Sequence, residues 1–377
     1  MNYGHSLNSL HYFAGFARKH FENVEIFASR HLPIGTEKDE IHRFFNFYYD
    51  NLIKIENIPS EDHQFDENLF ESQDDAASYD FFRFFIEVDI SSDDTLLFPS
   101  ADYYALIGLS NAIRRLEQHK RPRLLVRLIN VMENVNSLGS NTLPVPVQRI
   151  LALKKEGYSI SLSAETPKYS RYLTDLSGVA FSTTPYPSFQ TDMLALSANT
   201  PFTVLCGGSG RRDKGFFRLI EIIEATNIFN PEIRFIIQNL HASEQFANKD
   251  FLNKLYSIPN VILLPGVLPY SEIVQSYADS HICLMPYDAA TYEYRGSAML
   301  MESLLFGRQC VGQAGTGFAE QIKLYACGTS CGSNSEMAAA IATLSRSDRK
   351  DLMDRAAQSR ALYIADTDQK YAAWMDN

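Results

Sequence analysis

The sequence predicts an α/β protein made of two doubly wound halves, and three observations carry that expectation. Its 377 residues exceed what one hydrophobic core usually organises. Its C-terminal half alternates short β-rich runs with helical patterns, at the spacing of βαβ units that build a parallel sheet covered on both faces. A polar stretch with two prolines, TTPYPSFQTDMLALSANT at 183–200, separates the halves and should contain the hinge.

In the C-terminal half the predicted strands are Thr203–Cys206, Arg234–Gln238, Val261–Leu264, Ile282–Pro286 and Gln309–Val311. The helical patterns between and after them are Phe216–Thr226, Ala247–Tyr256, Ser271–Ala278, Ser297–Phe306 and Phe318–Tyr325. Ligands of such sheets sit beyond the carboxyl ends of the strands. The N-terminal half is less regular, with predicted strands at Val24–Ala28, Thr95–Phe98, Leu124–Ile129 and Ser159–Ser163. An acidic, aromatic-rich stretch from Ser60 to Asp94 reads either as a lid or insertion or as a solvated helix pair. The chain opens on a loop and a helix, MNYGHSLNSLHYFAGFARKHF, with no strand before them. A doubly wound domain normally opens with a strand, so the first strand is expected to be missing or supplied differently. The expected organisation is an N-terminal domain over 1–190, a C-terminal domain over 191–360 and a final helical segment over 361–377.

Composition narrows the function classes. Hydrophobic content of 45% against 21% charged describes an ordinary globular protein. A net charge of −11 repels nucleic acid, which is not expected as a partner. One basic stretch, Arg114–Arg123 (RRLEQHKRPR), offers a peripheral contact to a membrane surface or an anionic acceptor, against the plainer reading of a solvated helix end. Of the five cysteines, Cys206, Cys283 and Cys310 lie in apolar runs, where free cysteine behaves as a small hydrophobe. Cys327 and Cys331 form CGTSC with no second pair at zinc-site spacing. With no apolar run near 18–20 residues and no signal peptide at its start, the chain reads as a reduced, cytoplasmic protein.

Two segments carry chemistry. The first is Leu205-Cys-Gly-Gly-Ser-Gly-Arg-Arg-Asp-Lys-Gly215, a strand, a glycine-rich turn and a cationic cluster at the start of a helix. Glycines such as Gly208 and Gly210 let the backbone approach an anion, a helix N-terminus aims N–H groups at it, and Arg211 and Lys214 neutralise it. The segment lacks the Gly-Lys-Ser/Thr of a Walker A loop and the third glycine of GxGxxG, and a basic turn at a helix entrance is the bland alternative.

The second runs from Met285 to Gly307 (MPYDAATYEYRGSAMLMESLLFG): a strand, a long loop and a helix beginning near Gly296 and Ser297. Ser297 suits the N-cap and Gly307 the C′ position. Glu302 has Ala298, Met299, Leu305 and Phe306 as helical neighbours, and a carboxylate on an apolar face needs a hydrogen-bond donor. It stands about 9 Å along the axis from Gly296. A diphosphate at the helix N-terminus would therefore leave its ribose near Glu302, unless the glutamate is structural and satisfied by backbone.

Together these segments resemble the donor domain of the retaining GT-B glycosyltransferases of family 4. Gly210-Arg211 and Lys214-Gly215 match the first part of the family pattern, and Glu302-Ser-Leu-Leu-Phe-Gly307 the end of the second. Pro265-Gly266-Val267-Leu268, Tyr277-Ala278-Asp279, Met285-Pro286-Tyr287 and Gly315-Thr-Gly-Phe-Ala-Glu320 also fit, so the likeness spans roughly residues 201–325. One feature departs from the family: its first glutamate should fall at Tyr294, and the nearest carboxylate is Glu293.

The resemblance implies a GT-B fold, two Rossmann-like domains facing across a cleft, with the last helix crossing back to the N-terminal domain and Trp374 packing there. It implies retaining, metal-independent transfer of a hexose from a nucleotide-diphosphate sugar to a carbohydrate or glycoconjugate acceptor, as in polysaccharide biosynthesis, without a cofactor. Arg211 and Lys214 would hold the phosphates with backbone at Gly296–Ser297. Glu302 would bind the ribose, and backbone at Val267–Leu268 the base. Glu293 or Arg295, beside Tyr294, would meet the sugar, and the Gly4-His5 loop would close over it, with His5 as a sugar contact. A non-catalytic GT-B subunit that partners another transferase is the alternative, and a sugar-nucleotide epimerase or phosphorylase ranks behind both.

Overall fold

The computed structural model describes residues 6–30, 41–46, 67–100, 103–129, 143, 145–189, 191–196, 201–208, 210–239, 249–266 and 268–376. Among them are twelve helices and twelve strands, all strand pairings being parallel. The chain divides into two compact units. The first comprises 1–165, 169–184 and 370–377, and the second 166–168 and 185–369.

In the first unit, helix α1 (Ser6–Ala17) precedes a two-stranded pair, β1 (Ile26–Ser29) and β2 (Ile41–Phe45). Helix α2 (Glu67–Glu87) leads to β3 (Thr95–Phe98), and α3 (Tyr103–Ile113) to β4 (Arg123–Leu128). Helix α4 (Val145–Lys155), β5 (Ile160–Ala164), α5 (Pro167–Ser177) and β6 (Ser182–Thr183) complete it, giving a four-stranded sheet in the order β3-β4-β5-β6. The first strand thus follows the opening helix and pairs outside this sheet. The described part of the acidic, aromatic stretch is neither a lid nor a helix pair. It is the single helix α2, which packs on α3 where Gly108 leaves no room for a Cβ, 2.5 Å from the Ala77 carbonyl carbon. Phe81 and Phe84 on its buried face are the reason: this helix has an apolar side that needs covering. Within the basic stretch, Arg114 pairs with Glu156 at 2.7 Å and Lys120 with Asp89 at 3.0 Å.

The second unit carries β7 (Thr203–Cys206), α6 (Leu219–Phe229), β8 (Arg234–Asn239), α7 (Lys249–Tyr256), β9 (Val261–Pro265), α8 (Tyr270–Ala278) and β10 (Ile282–Met285). Then come α9 (Ala298–Leu305), β11 (Gln309–Gln313), α10 (Gly317–Leu324), β12 (Gly328–Cys331), α11 (Asn334–Ser345) and α12 (Arg349–Asp376). The six strands are ordered β12-β11-β10-β7-β8-β9. The interiors of the central strands β7, β8, β10 and β11 are buried on both faces, as Val204, Phe235, Ile237, Ile282, Leu284 and Val311 illustrate, which is why their cores read as apolar runs. The order reverses between β7 and β10. That is the topological switch point of the sheet, and the loops leaving those two strands flank the crevice where such sheets receive ligands.

The end of α12 belongs to the first unit. There Trp374, 1% exposed, packs among Phe13, Phe16, Leu125 and Tyr371, and its indole N–H points at the Ser161 carbonyl at 3.4 Å. All five cysteines are buried free thiols, and no described helix is long and apolar enough to cross a membrane.

Candidate functional site

The two segments singled out in the sequence are the two loops at the switch point. After β7 the chain turns through Gly208, whose φ of +95° lies in the left-handed region that glycine adopts freely. A Cβ there would come within 3.3 Å of the Lys214 Nζ, so the ammonium is folded back over this glycine. The Gly208 N–H donates to Gln238 Oε1 at 2.8 Å, tying the turn to the end of β8. Arg212–Lys214 then form a single 3₁₀ turn that ends at Gly215, with φ +71°. The expected helix therefore begins later than the sequence suggested. A second 3₁₀ turn, Phe216–Arg218, follows the glycine, and α6 starts only at Leu219. Gly215 breaks the run because a Cβ there would fall 1.9 Å from the Pro286 carbonyl oxygen.

That close approach joins the β7 loop to the β10 loop. The Asp288 N–H donates to the Asp213 carbonyl at 2.8 Å, and the Tyr292 hydroxyl reaches the Asp213 carboxylate at 3.4 Å. The Lys214 ammonium lies 5.5 Å from the Tyr287 ring centroid. Arg211 grips Asp213 through both Nε (2.9 Å) and Nη2 (2.7 Å). Lys214 borders a small pocket with Cys206, Gly207, Phe216, Gln238 and Tyr287. Burial, and then the neighbouring Arg211, push its ammonium down to about 8; Asp213 and Glu302 act in the opposite sense.

The Glu302 carboxylate acts on the Lys214 ammonium through its charge, the weakest of the named influences on it. Glu302 stands on α9, a helix capped by Ser297, whose Oγ accepts from the Leu300 N–H at 3.3 Å. Gly307 takes the expected C′ position with φ +75°. The Glu302 carboxylate is buried, and its Oε2 accepts a 2.7 Å hydrogen bond from the Tyr277 hydroxyl on α8. A side-chain hydroxyl thus supplies one of the donors that the burial read from the sequence requires. Burial and the adjacent Glu302 carboxylate hold the Tyr277 phenol well above its ordinary value, so Tyr277 is a donor at any ordinary pH.

Between the two loops and α9 lies the segment carrying Glu293, Tyr294, Arg295 and Gly296. Glu293 is half exposed and pairs with Lys168 at 3.1 Å. The same ammonium donates to the Gly315 carbonyl at 3.0 Å, and Thr166 Oγ1 donates to the Tyr294 carbonyl at 2.8 Å. On the other side, a Cβ at Gly317 would meet the Tyr294 carbonyl carbon at 2.8 Å, which lets the start of α10 press against this loop. Arg295 stacks over Tyr292 at 5.7 Å.

Of the site residues read from the sequence, Gly208, Gly210, Arg211, Lys214, Leu268, Glu293, Tyr294, Arg295, Gly296, Ser297 and Glu302 all belong to the second unit. Gly4, His5 and Val267 lie outside the described residues. Sequence reading did not assign Tyr277 to Glu302, Lys168 to Glu293, or Gln238 to the glycine turn.

No family model and no curated protein matches the sequence. Solved structures do. An E. coli structure described as trehalose-6-phosphate bound with UDP-2-fluoro glucose is 13% identical, covers 83% of this chain and 78% of its own, and aligns with a TM-score of 0.60. A UDP-forming trehalose-phosphate synthase from Burkholderia xenovorans is 12% identical over 83% and 78%, with a TM-score of 0.59. A TarM mutant from S. aureus, in complex with fondaparinux, α-GlcNAc-glycerol and UDP, is 13% identical over 81% of this chain and 59% of its own, at 0.56. At these identities the likeness is one of fold, and the fold is that of the GT-B glycosyltransferases, as the sequence resemblance implied.

Proposed function

We propose that this protein is a glycosyltransferase that moves a sugar from a nucleoside diphosphate sugar to a carbohydrate or glycoconjugate acceptor, with retention at the anomeric carbon. The observation that carries the reading is the pair of loops at the sheet switch point, one holding Arg211 and Lys214 and the other leading into the capped helix that carries the buried Glu302. In this reading the diphosphate lies against Lys214, Arg211 and the first turn of α9, and Glu302 accepts the ribose hydroxyls. As the bond from the anomeric carbon to the diphosphate breaks, negative charge grows on the departing phosphate. Fixed cations already aimed there stabilise that charge more than they stabilise the bound donor. The two side-chain cations are proposed to suffice for this without a metal ion. UDP in the described complexes of structurally similar proteins supports a nucleotide donor.

Glu293 is proposed to face the sugar, set there by Lys168. The same ion pair is the observation behind the second reading, a non-catalytic subunit of this fold, because it occupies the carboxylate next in sequence to the expected sugar contact at Tyr294. Donor hydrolysis or transfer separates the two. Activity that Lys214→Ala abolishes at unchanged stability supports the enzyme, and its absence with every donor and acceptor class supports the subunit.

A further inference from the structure

Arg308 directly follows Gly307, and its backbone completes the end of α9. The Gly307 N–H donates to the Leu304 carbonyl at 3.2 Å, and the Arg308 N–H to the Ser303 carbonyl at 2.7 Å. The Arg308 side chain is 1% exposed. A buried guanidinium ordinarily faces a carboxylate. This one donates to five main-chain carbonyls instead. Its Nη1 reaches Phe306 at 3.1 Å and Gly307 at 2.9 Å, at the end of its own helix. Its Nε reaches Tyr277 at 2.7 Å, in the last turn of α8. The stretch before β7 supplies the rest, with Leu194 at 2.8 Å from Nη1 and Ala195 at 3.4 Å from Nη2. The carbonyl ends of two helices thus balance the cation. Burial pushes the guanidinium down to about 10, which leaves it charged at neutral pH.

Tyr277 is therefore held at three points by α9 and its cap. Its hydroxyl donates to Glu302 at 2.7 Å, its ring lies 4.9 Å from the Phe306 ring, and its carbonyl accepts from Arg308. The hydroxyl meets the carboxylate only while the main chain at Tyr277 stays where Arg308 fixes it. A planar guanidinium sets direction as well as distance, which a single ammonium does not.

We propose that Arg308 is a positioning residue for Glu302: it fixes Tyr277 at the end of α8, and Tyr277 in turn orients the carboxylate. This rests on the reading of Glu302 as the ribose contact. Arg308 then acts on the nucleoside part of a ligand and not on its phosphates.

The test is a double-mutant cycle on the full chain, combining Arg308→Lys with Glu302→Ala. UDP, GDP, ADP and inorganic pyrophosphate are titrated calorimetrically, and melting temperatures are recorded. Arg308→Lys is expected to raise Kd for the bound nucleotides roughly 3- to 30-fold, as for residues coupled in one network. Pyrophosphate, which has no ribose, should stay within about twofold. In the Glu302→Ala background Arg308→Lys should change nucleotide affinity by less than about twofold, because the group it positions is gone. Its lowering of the melting temperature should persist there. Arg308→Gln, which buries no ammonium, enters the same cycle in case the lysine variant does not fold. Equal nucleotide losses in both backgrounds overturn the proposal, and so does a parallel loss of pyrophosphate, which marks general damage. If the wild type binds none of the nucleotides, or Glu302→Ala binds them unchanged, the ribose reading itself falls. If Glu302→Ala weakens them and the folded Arg308 variants do not, positioning alone is refuted.

Discussion

The Tyr277 hydroxyl donates a 2.7 Å hydrogen bond to Glu302 Oε2, and both side chains are buried between α8 and α9. A carboxylate so placed keeps one oxygen occupied and one rotamer preferred, which is what a ribose contact requires. Tyr277→Phe removes the donor and leaves a buried carboxylate short of a partner, at about 1–3 kcal/mol. The expected result is a melting temperature lower by several degrees and a nucleoside diphosphate affinity down about tenfold, with pyrophosphate unaffected. Scanning calorimetry and titration read both; wild-type values in the two measurements would make this bond incidental.

Lys214 gives the site a pH dependence with a definite sign. Its ammonium, pushed down to about 8 by burial and then by Arg211, loses its proton in the free protein above that pH. A diphosphate favours the charged form, so binding above about pH 8 takes up a proton and affinity falls by up to about tenfold per pH unit. Stability moves the other way. Between the folded value and the ordinary lysine value near 10.5, the unfolded chain holds the extra proton, so the Lys214 contribution to stability rises with pH across that window. Titrations at pH 7 and pH 9, in buffers of different ionisation heat, count the protons. No uptake at pH 9 would remove Lys214 from the phosphate contact.

The two left-handed glycines of the β7 loop should respond unequally. At Gly215 an added Cβ meets a backbone carbonyl at 1.9 Å, and at Gly208 it meets only the tip of a flexible lysine at 3.3 Å. Both substitutions strain the backbone by about 1–3 kcal/mol. Gly215→Ala must also push the β7 and β10 loops apart. Gly215→Ala is expected to lose the larger share of stability in chemical denaturation. Gly208→Ala should fold and weaken nucleotide binding by displacing Lys214. Equal losses would contradict the contact at Pro286.

The Lys168–Glu293 pair should act on turnover more than on nucleotide binding. Lys168→Met frees Glu293 and releases the Gly315 carbonyl, both beside the loop proposed to face the sugar. The expected outcome is a kcat reduced tenfold or more, with nucleoside diphosphate affinity within about threefold of wild type. Glu293→Gln should lower kcat similarly, and the double variant should fall short of the product of the two losses. Full additivity would mean that the two residues act independently.

Much of the second unit was legible in the sequence, because its central strands carry short apolar cores and the segments between them keep helical periodicity. Strand β12, GTSC, escaped notice because it is short, polar and at the edge of its sheet, where only one neighbour is needed. Strand β6 is two residues long. The helix expected from Phe216 starts at Leu219 because its first turn, Phe216–Arg218, is wound as 3₁₀, a tightening that hydrophobic periodicity does not show. Glu302 stood out as an acid on an apolar face. Its donor Tyr277 did not, since the pair joins two helices 25 residues apart. Lys168 was invisible for a stronger version of the same reason: it lies in the N-terminal half of the sequence and reaches Glu293 only through the fold.

The most direct test is calorimetric titration of the wild type and of Lys214→Ala with UDP, GDP and their hexose conjugates at pH 7. Micromolar binding of at least one nucleotide, weakened a hundredfold or more by Lys214→Ala with the melting temperature preserved, is the expected result. Binding of none by a folded wild-type protein, or binding indifferent to Lys214, would contradict a donor diphosphate seated between this lysine and Glu302.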